Sequence, residues 1–138
     1  MTIFNWTIDS ENYLANNNKQ ADKMTARYFI NYIAHSLNDY KDKYSWEQLR
    51  NKSLPHYHSC TDLHRKKSKE AKALNTHLKK INQNLGETKQ IALEIDQIFQ
   101  FPIKGFPNKP EYRCFGYILD NVFYLVYLDP DHLVYKEC

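Results

Sequence analysis

The sequence predicts an α+β domain, in which N-terminal helices pack on a C-terminal antiparallel β-meander. Helical periodicity, with apolar residues recurring every three to four positions, dominates the first two thirds of the chain. Strand alternation replaces it near Phe99, and two strand-like runs follow. A length of 138 residues fits one domain, and no internal repeat or domain boundary is visible. Helices followed by a run of strands are typical of the α+β class.

The first 60 residues are predicted to form a helical extension of the domain. Residues 2–6 fit a short edge strand and residues 9–19 a polar loop, and residues 21–40 carry a wide apolar face with a four-residue repeat. A shorter second helix begins at Ser45, because Ser45 and Gln48 have the spacing of a capping box, and Pro55 stops it. The residues expected to face inward are Phe29, Ile33, Leu37, Trp46 and Leu49.

A long basic helix is predicted next, within residues 61–138. Thr61 and Asp62 supply its N-cap, it continues to Leu85, and Gly86 stands where the glycine beyond a helix end is expected. Its apolar positions fall within about 80° of one another at 100° per residue. These positions are Ala71, Leu74, Leu78, Ile81 and Leu85.

The opposite face of this helix is strongly basic. Residues 65–80 contain seven bases and one acid, an excess of +6, whereas the whole chain carries +3, so the remaining residues carry −3. A solvated face usually interleaves both signs, so the excess favours contact with a phosphate backbone, with a merely solvated face as the alternative. The candidate nucleic-acid-binding residues are Arg65, Lys66, Lys69, Lys72, Lys79 and Lys80, with Lys67 as the seventh base.

Three strands are predicted in the C-terminal third. Residues 99–103 alternate apolar side chains, and Pro102 indicates an edge position or a bulge. Residues 112–119 and 122–128 are joined by Asp120 and Asn121, a strong hairpin signal. Residues 122–128 are apolar or aromatic throughout, which indicates a central strand covered on both faces.

The hairpin is expected to bring Arg113, His132 and Tyr135 to one end of the sheet. Such a trio can act on a phosphodiester, because arginine holds phosphate through its fork of donors and histidine exchanges protons near neutral pH. The alternative interpretation is structural, with Arg113 paired to Asp129 or Asp131.

A histidine-rich loop is predicted at residues 56–60. It holds His56, His58 and Cys60, and His64 follows shortly after. The spacing matches no familiar zinc motif, so no metal and no cofactor is predicted. His58 and His64 are retained as further candidate catalytic residues, and a purely structural role is the alternative.

Several classes of protein are disfavoured. A glycine-rich phosphate loop, a paired-carboxylate motif on a helix and a serine nucleophile elbow are all absent from the sequence. No apolar run is long enough to span a membrane, and the N-terminus lacks the pattern of a signal peptide. The three widely spaced cysteines are expected to be free thiols. A cytoplasmic protein without membrane contact is therefore expected.

Residues from about 62 to 135 resemble the RelE/ParE superfamily of small bacterial endoribonuclease toxins. The resemblance lies in the basic helix, the strand carrying Arg113, the aromatic strand after it, and His132 three residues before Tyr135. It implies a RelE-like fold and metal-independent acid–base cleavage of mRNA, either free or bound to the ribosome. It also implies an antitoxin protein as partner. Arg113 would stabilise charge, His132 and Tyr135 would handle protons, and helix lysines would hold the RNA. The first 60 residues and the histidine loop have no counterpart in that family.

Three functional hypotheses follow from these features. The first is a toxin-like endoribonuclease from a bacterium or a mobile element. The second is a non-catalytic module of phage or defence origin that binds nucleic acid or protein. The third is a small metal-binding protein that uses the histidine loop.

Overall fold

A computed structural model describes residues 5–9, 13–14, 29–49, 58–59, 63–89 and 98–134. The strands are β1 (Asn5–Ile8), β2 (His58–Ser59), β3 (Ile98–Pro102), β4 (Arg113–Leu119) and β5 (Val122–Asp129). The helices are α1 (His35–Lys43), which continues a π-helical turn (Phe29–Ala34), α2 (Trp46–Leu49) and α3 (Lys69–Lys89), which follows a 3-10 turn (Leu63–Arg65).

The five strands form one sheet in the order β1-β5-β4-β3-β2. Strands β3, β4 and β5 make the predicted antiparallel meander, so the α+β prediction is confirmed. The short edge strand predicted near the N-terminus is also present, as β1, and it pairs parallel to β5. At the other edge, β2 pairs antiparallel with β3. The N-terminal 60 residues therefore contribute two strands to the sheet as well as helices.

The β4–β5 hairpin closes through the predicted two-residue turn. Asp120 and Asn121 have φ values of 52° and 64°. Positive φ at both central residues defines a type I′ turn, whose twist matches that of the flanking strands. The Trp46 indole N–H donates a 2.6 Å hydrogen bond to the Asn121 carbonyl, which ties α2 to the hairpin.

A bulge interrupts the hairpin near its middle. Phe115 lies opposite Tyr127, but the next residue, Gly116, lies opposite Leu125, so β5 carries one extra residue at this step. A Cβ atom at Gly116 would stand 2.1 Å from the Tyr124 carbonyl oxygen. The close approach of the two backbones therefore requires glycine at this position.

Each face of the sheet is covered by helices, so the core has two layers. On one face, α1 and α2 pack through Ile33, Leu37, Tyr40, Trp46 and Leu49 against strand residues that include Phe99, Phe101, Phe123 and Leu125. On the other face, α3 packs through Ala71, Leu74, Leu78 and Ile81 against residues that include Ile98, Phe115, Tyr117 and Val126. The prediction of a central strand covered on both faces is confirmed for β5, in which six of eight residues are buried.

The N-terminal helices follow their sequence signals. The Ser45 N–H donates to Gln48 Oε1 at 2.9 Å and the Gln48 N–H donates to Ser45 Oγ at 3.3 Å, which confirms the capping box. Trp46 and Leu49 are buried, as predicted. The first helix ends at Lys43, three residues beyond the expected end, and its predicted residues 21–28 lie outside the described residues.

Both predicted ends of the basic helix are wrong. The helix begins at Lys69, and Ser68 is its N-cap, since Ser68 Oγ accepts a 3.1 Å hydrogen bond from the Ala71 N–H. Thr61 and Asp62 lie outside the described residues and are separated from the helix by the 3-10 turn. The helix continues through Gly86 to Lys89. One glycine costs a helix only about 1 kcal/mol relative to alanine, so it does not oblige the helix to end.

The predicted loop at residues 56–60 contains a strand, which corrects that prediction. His58 pairs with Gln100 and Ser59 pairs with Phe99. A two-residue strand has too few positions to show alternation, so only the long-range pairing defines it. Strand β3, which contains Pro102, lies between β2 and β4, so the edge position predicted from Pro102 is wrong for the strand as a whole. The described part of β2 pairs with Phe99 and Gln100 and does not reach Pro102. No helix in the described residues is long and apolar enough to cross a membrane.

Candidate nucleic-acid interface

Helix α3 separates an apolar inner face from a basic outer face, as predicted. Ala71, Leu74, Leu78 and Ile81 are at most 3% exposed, whereas the side of the helix turned away from the sheet is in solvent. Among its described side chains, the exposed bases of the helix are Lys69, Lys72, Lys79 and Lys80. Leu85, the fifth predicted inner residue, lies in a part of the helix whose side chains are not described.

The basic residues continue into the segment before the helix. Arg65 ends the 3-10 turn and is exposed, Lys66 is half-buried, and Lys67 is exposed. The Lys66 N–H donates a 3.1 Å hydrogen bond to the Leu63 carbonyl, which fixes this turn ahead of α3. Lys69 and Lys80 are eleven residues apart, a rise of about 16 Å along a helix. The outer face of α3 and this preceding segment are called the basic face below.

Among the residues that the structure describes, the exposed bases of the basic face take part in no ion pair. The ion pairs between described residues join Lys43 to Asp39, Lys109 to Asp131 and His132 to Glu111. The single acid of this stretch, Glu70, is half-buried. A row of exposed cations of this kind is suited to contact with successive phosphates.

Arg113 and Asp129 face each other at one end of the sheet, as the hairpin predicts. They are directly opposite in the β4–β5 register, and they are 4% and 0% exposed. The Arg113 guanidinium donates a 3.1 Å hydrogen bond to the Tyr112 carbonyl. Burial lowers the pKa of Arg113, and the nearby carboxylates of Glu111 and Asp129 oppose that shift.

The Asp129 carboxylate holds the turn that follows β5. Its Oδ1 accepts a 3.0 Å hydrogen bond from the Leu133 N–H, and its Oδ2 accepts a 2.9 Å hydrogen bond from the Val134 N–H. Burial raises the pKa of Asp129, and these two hydrogen bonds to the charged form act in the opposite direction.

His132 lies in this turn, at the same end of the sheet as Arg113. Its φ is 55°, it is 7% exposed, and its Nδ1 lies 3.9 Å from a carboxylate oxygen of Glu111. Asp131, beside it, pairs with Lys109 at 2.6 Å. Arg113 and His132 therefore lie at the same end of the sheet, but both side chains are buried, and Glu111 lies near His132.

The basic face and the Arg113–His132 end of the sheet are neighbours. Ser68 Oγ, which caps α3, donates a 3.4 Å hydrogen bond to the Val134 carbonyl in the turn that Asp129 holds. No pattern in the sequence predicts that the two regions meet or that Ser68 has a role. The local signal at Ser68 is weak, because the third residue after it is Ala71 and not the glutamate or glutamine of a capping box.

The remaining candidate residues lie elsewhere or outside the described parts. His58 is in β2, two strands away from β4, and His64 is in the 3-10 turn. Tyr135, His56 and Cys60 lie outside the described residues. Within the described ranges, no group of three histidine, cysteine, aspartate or glutamate side chains is placed to hold a metal ion.

A family model described as Uncharacterised protein UU032 matches residues 4–138. The chain belongs to this family. No curated protein and no solved structure matches the chain. The residues that the family model matches include the N-terminal helices, the basic face and the whole sheet. The resemblance to RelE/ParE toxins stays a prediction.

The buried Asp129 carboxylate makes the stability of this UU032 family member depend on pH. A raised native pKa means that the folded protein holds the Asp129 proton more tightly than the unfolded chain does. The unfolding free energy contributed by Asp129 should therefore fall as pH rises from the ordinary carboxyl pKa of about 3.9 to the native pKa, and stay level outside that interval.

Urea unfolding of the wild type and of Asp129→Asn between about pH 3.5 and 7 measures this contribution, since asparagine does not titrate. We expect the stability of the wild type relative to the variant to decrease with rising pH in the lower part of this range. A relative stability that increases with pH there would mean that the native pKa is depressed and that the hydrogen bonds outweigh burial.

Proposed function

We propose that this protein binds RNA, with the basic face of α3 in contact with the phosphate backbone. The observation that carries the proposal is that the exposed bases of this face make no ion pair with described residues. Lysines that neutralise phosphates release the cations condensed on the nucleic acid, and this release favours binding. A merely solvated helix face usually interleaves both signs of charge, whereas this face carries one sign.

RNA is proposed in preference to DNA because the basic helix ahead of an antiparallel sheet resembles the RNA-cleaving RelE/ParE proteins. Phosphate contacts do not themselves distinguish the two nucleic acids. Binding is supported better than cleavage, since Arg113 and His132 are 4% and 7% exposed. The cytoplasm is the proposed location of this binding.

Removing two positive charges from one side of the basic face tests the proposal. Lys72 and Lys79 lie seven residues apart on the same side of α3, and both are exposed. Lys72→Gln/Lys79→Gln should weaken binding to a single-stranded RNA and reduce the log–log salt slope by about 1.4 units, as for two lost phosphate contacts. Fluorescence anisotropy over a series of salt concentrations measures both quantities. Glutamine is nearly as good a helix former as lysine, so the fold should be retained.

The matched control is Lys41→Gln/Lys43→Gln, which removes the same charge from exposed positions of α1. It should leave the salt slope unchanged. Equal effects of the two double variants would show that only net charge matters, and no effect of either would remove the basis of the proposal. A duplex DNA of the same length is the comparison ligand, and tighter binding to it would identify DNA as the ligand.

Endoribonuclease activity is a second candidate function. The observation that favours it is that Arg113 and His132 share one end of the sheet, beside the N-terminus of the basic helix. Arginine can stabilise the charge that develops on a phosphate, and histidine can transfer the proton of the attacking 2′-hydroxyl. This second candidate function includes cleavage of mRNA, dependence on the ribosome and neutralisation by an antitoxin protein.

His132→Asn tests the second candidate with little disturbance of the fold, because asparagine tolerates the positive φ of this position. If His132 transfers a proton, cleavage of RNA by the purified protein should fall by about 10²- to 10⁴-fold. Growth arrest on induction should disappear in parallel. Cleavage at the wild-type rate by a folded variant would exclude His132 from the chemistry.

A further inference from the structure

We infer that Asp129 is a positioning residue for the basic face: it fixes the N-terminal end of α3, and with it Lys67 and Lys69, against the sheet. This inference rests on the proposed binding of RNA by that face. Asp129 does not itself reach the surface, since it is 0% exposed. It acts through the turn that follows β5.

The link is a continuous series of hydrogen bonds from the core to the helix cap. The two oxygens of Asp129 accept the N–H groups of Leu133 and Val134 at 3.0 and 2.9 Å. The Val134 carbonyl then accepts the Ser68 hydroxyl at 3.4 Å. The same hydroxyl accepts the Ala71 N–H at 3.1 Å and so caps α3.

A carboxylate is suited to this role because it offers two acceptors at once. In asparagine one oxygen is replaced by an amide group that only donates, so one of the two turn N–H groups would lose its acceptor. The charged and titratable groups around Asp129 are Arg113 opposite it on β4, Asp131 in the turn and Glu70 in the first turn of α3.

The two ends of α3 depend on Asp129 to different degrees. The Ser68 cap and the turn before it bear directly on Lys67 and Lys69, which flank Ser68 in the chain. Lys79 and Lys80 are more than two helical turns further along, next to the buried residues Leu78 and Ile81. Loss of the link should therefore displace the first pair of lysines and leave the second pair in place.

A double-mutant cycle on RNA binding separates this role from a general structural one. Lys67→Gln/Lys69→Gln should reduce the log–log salt slope by about 1.4 units. Asp129→Asn should weaken RNA binding and reduce the slope in the same direction, and adding it to Lys67→Gln/Lys69→Gln should cause little further loss. Added to Lys79→Gln/Lys80→Gln, it should cause its full loss.

The direction in which Asp129→Asn changes RNA binding can be controlled separately. Removal of a negative charge by itself should strengthen RNA binding, so weaker binding by Asp129→Asn cannot arise from charge alone. Asp131→Asn removes the same charge from a nearby exposed residue that pairs with Lys109, and it should not reduce the salt slope. Ser68→Ala breaks the link at the surface end and should reproduce the Asp129→Asn pattern even if the latter variant does not fold.

Either of two results would overturn the positioning role while leaving RNA binding intact. The first is a loss of RNA affinity from Asp129→Asn that adds fully to the loss from each lysine pair. The second is unchanged RNA binding by folded Asp129→Asn and Ser68→Ala. Unchanged binding by both lysine pairs would instead overturn the proposed function itself. The two failures are therefore distinguishable in one set of titrations.

Discussion

The pairing of β4 with β5 is the interaction on which the rest of this structure depends. Seven of seven residues of β4 are buried, and β5 is covered on both faces. One face supplies the surface on which α1 and α2 pack, and the other supplies the surface for α3. Both helical layers pack against residues of this hairpin, so neither layer has a complete core without it.

The same hairpin determines where the charged residues lie. Its register places Arg113 opposite Asp129, and the turn after Asp129 reaches the cap of α3. A buried carboxylate is costly unless its oxygens are hydrogen-bonded, and here two backbone N–H groups reduce that cost. The basic face is therefore fixed to the sheet at one end by polar contacts and along its length by apolar ones.

Features that depend on local chemistry could be predicted from the sequence. The Asp120-Asn121 turn follows from the ease with which these residues take positive φ, and the two faces of α3 follow from the helical period. The capping box at Ser45 was predicted for the same reason, since its partners are three residues apart.

Features that depend on distant parts of the chain could not be predicted. Ser68, which caps α3, also donates to the Val134 carbonyl, and that contact joins residues 66 positions apart. The pairing of β2 with β3 and the parallel direction of β1 also depend on contacts between residues far apart in the chain. The hairpin register predicted that Arg113 and His132 lie at one end of the sheet, but their burial depends on how the turn folds over that end.

Lysine footprinting tests the central claim, that RNA lies on the outer face of α3, most directly. The protein is acetylated briefly with and without saturating single-stranded RNA, and modification at each lysine is read by mass spectrometry. We expect RNA to protect Lys69, Lys72, Lys79 and Lys80 from acetylation. Modification of Lys41 and Lys104, which are exposed away from this face, should be unchanged. Bound RNA that protects Lys41 or Lys104 and leaves the α3 lysines fully reactive would contradict the claim.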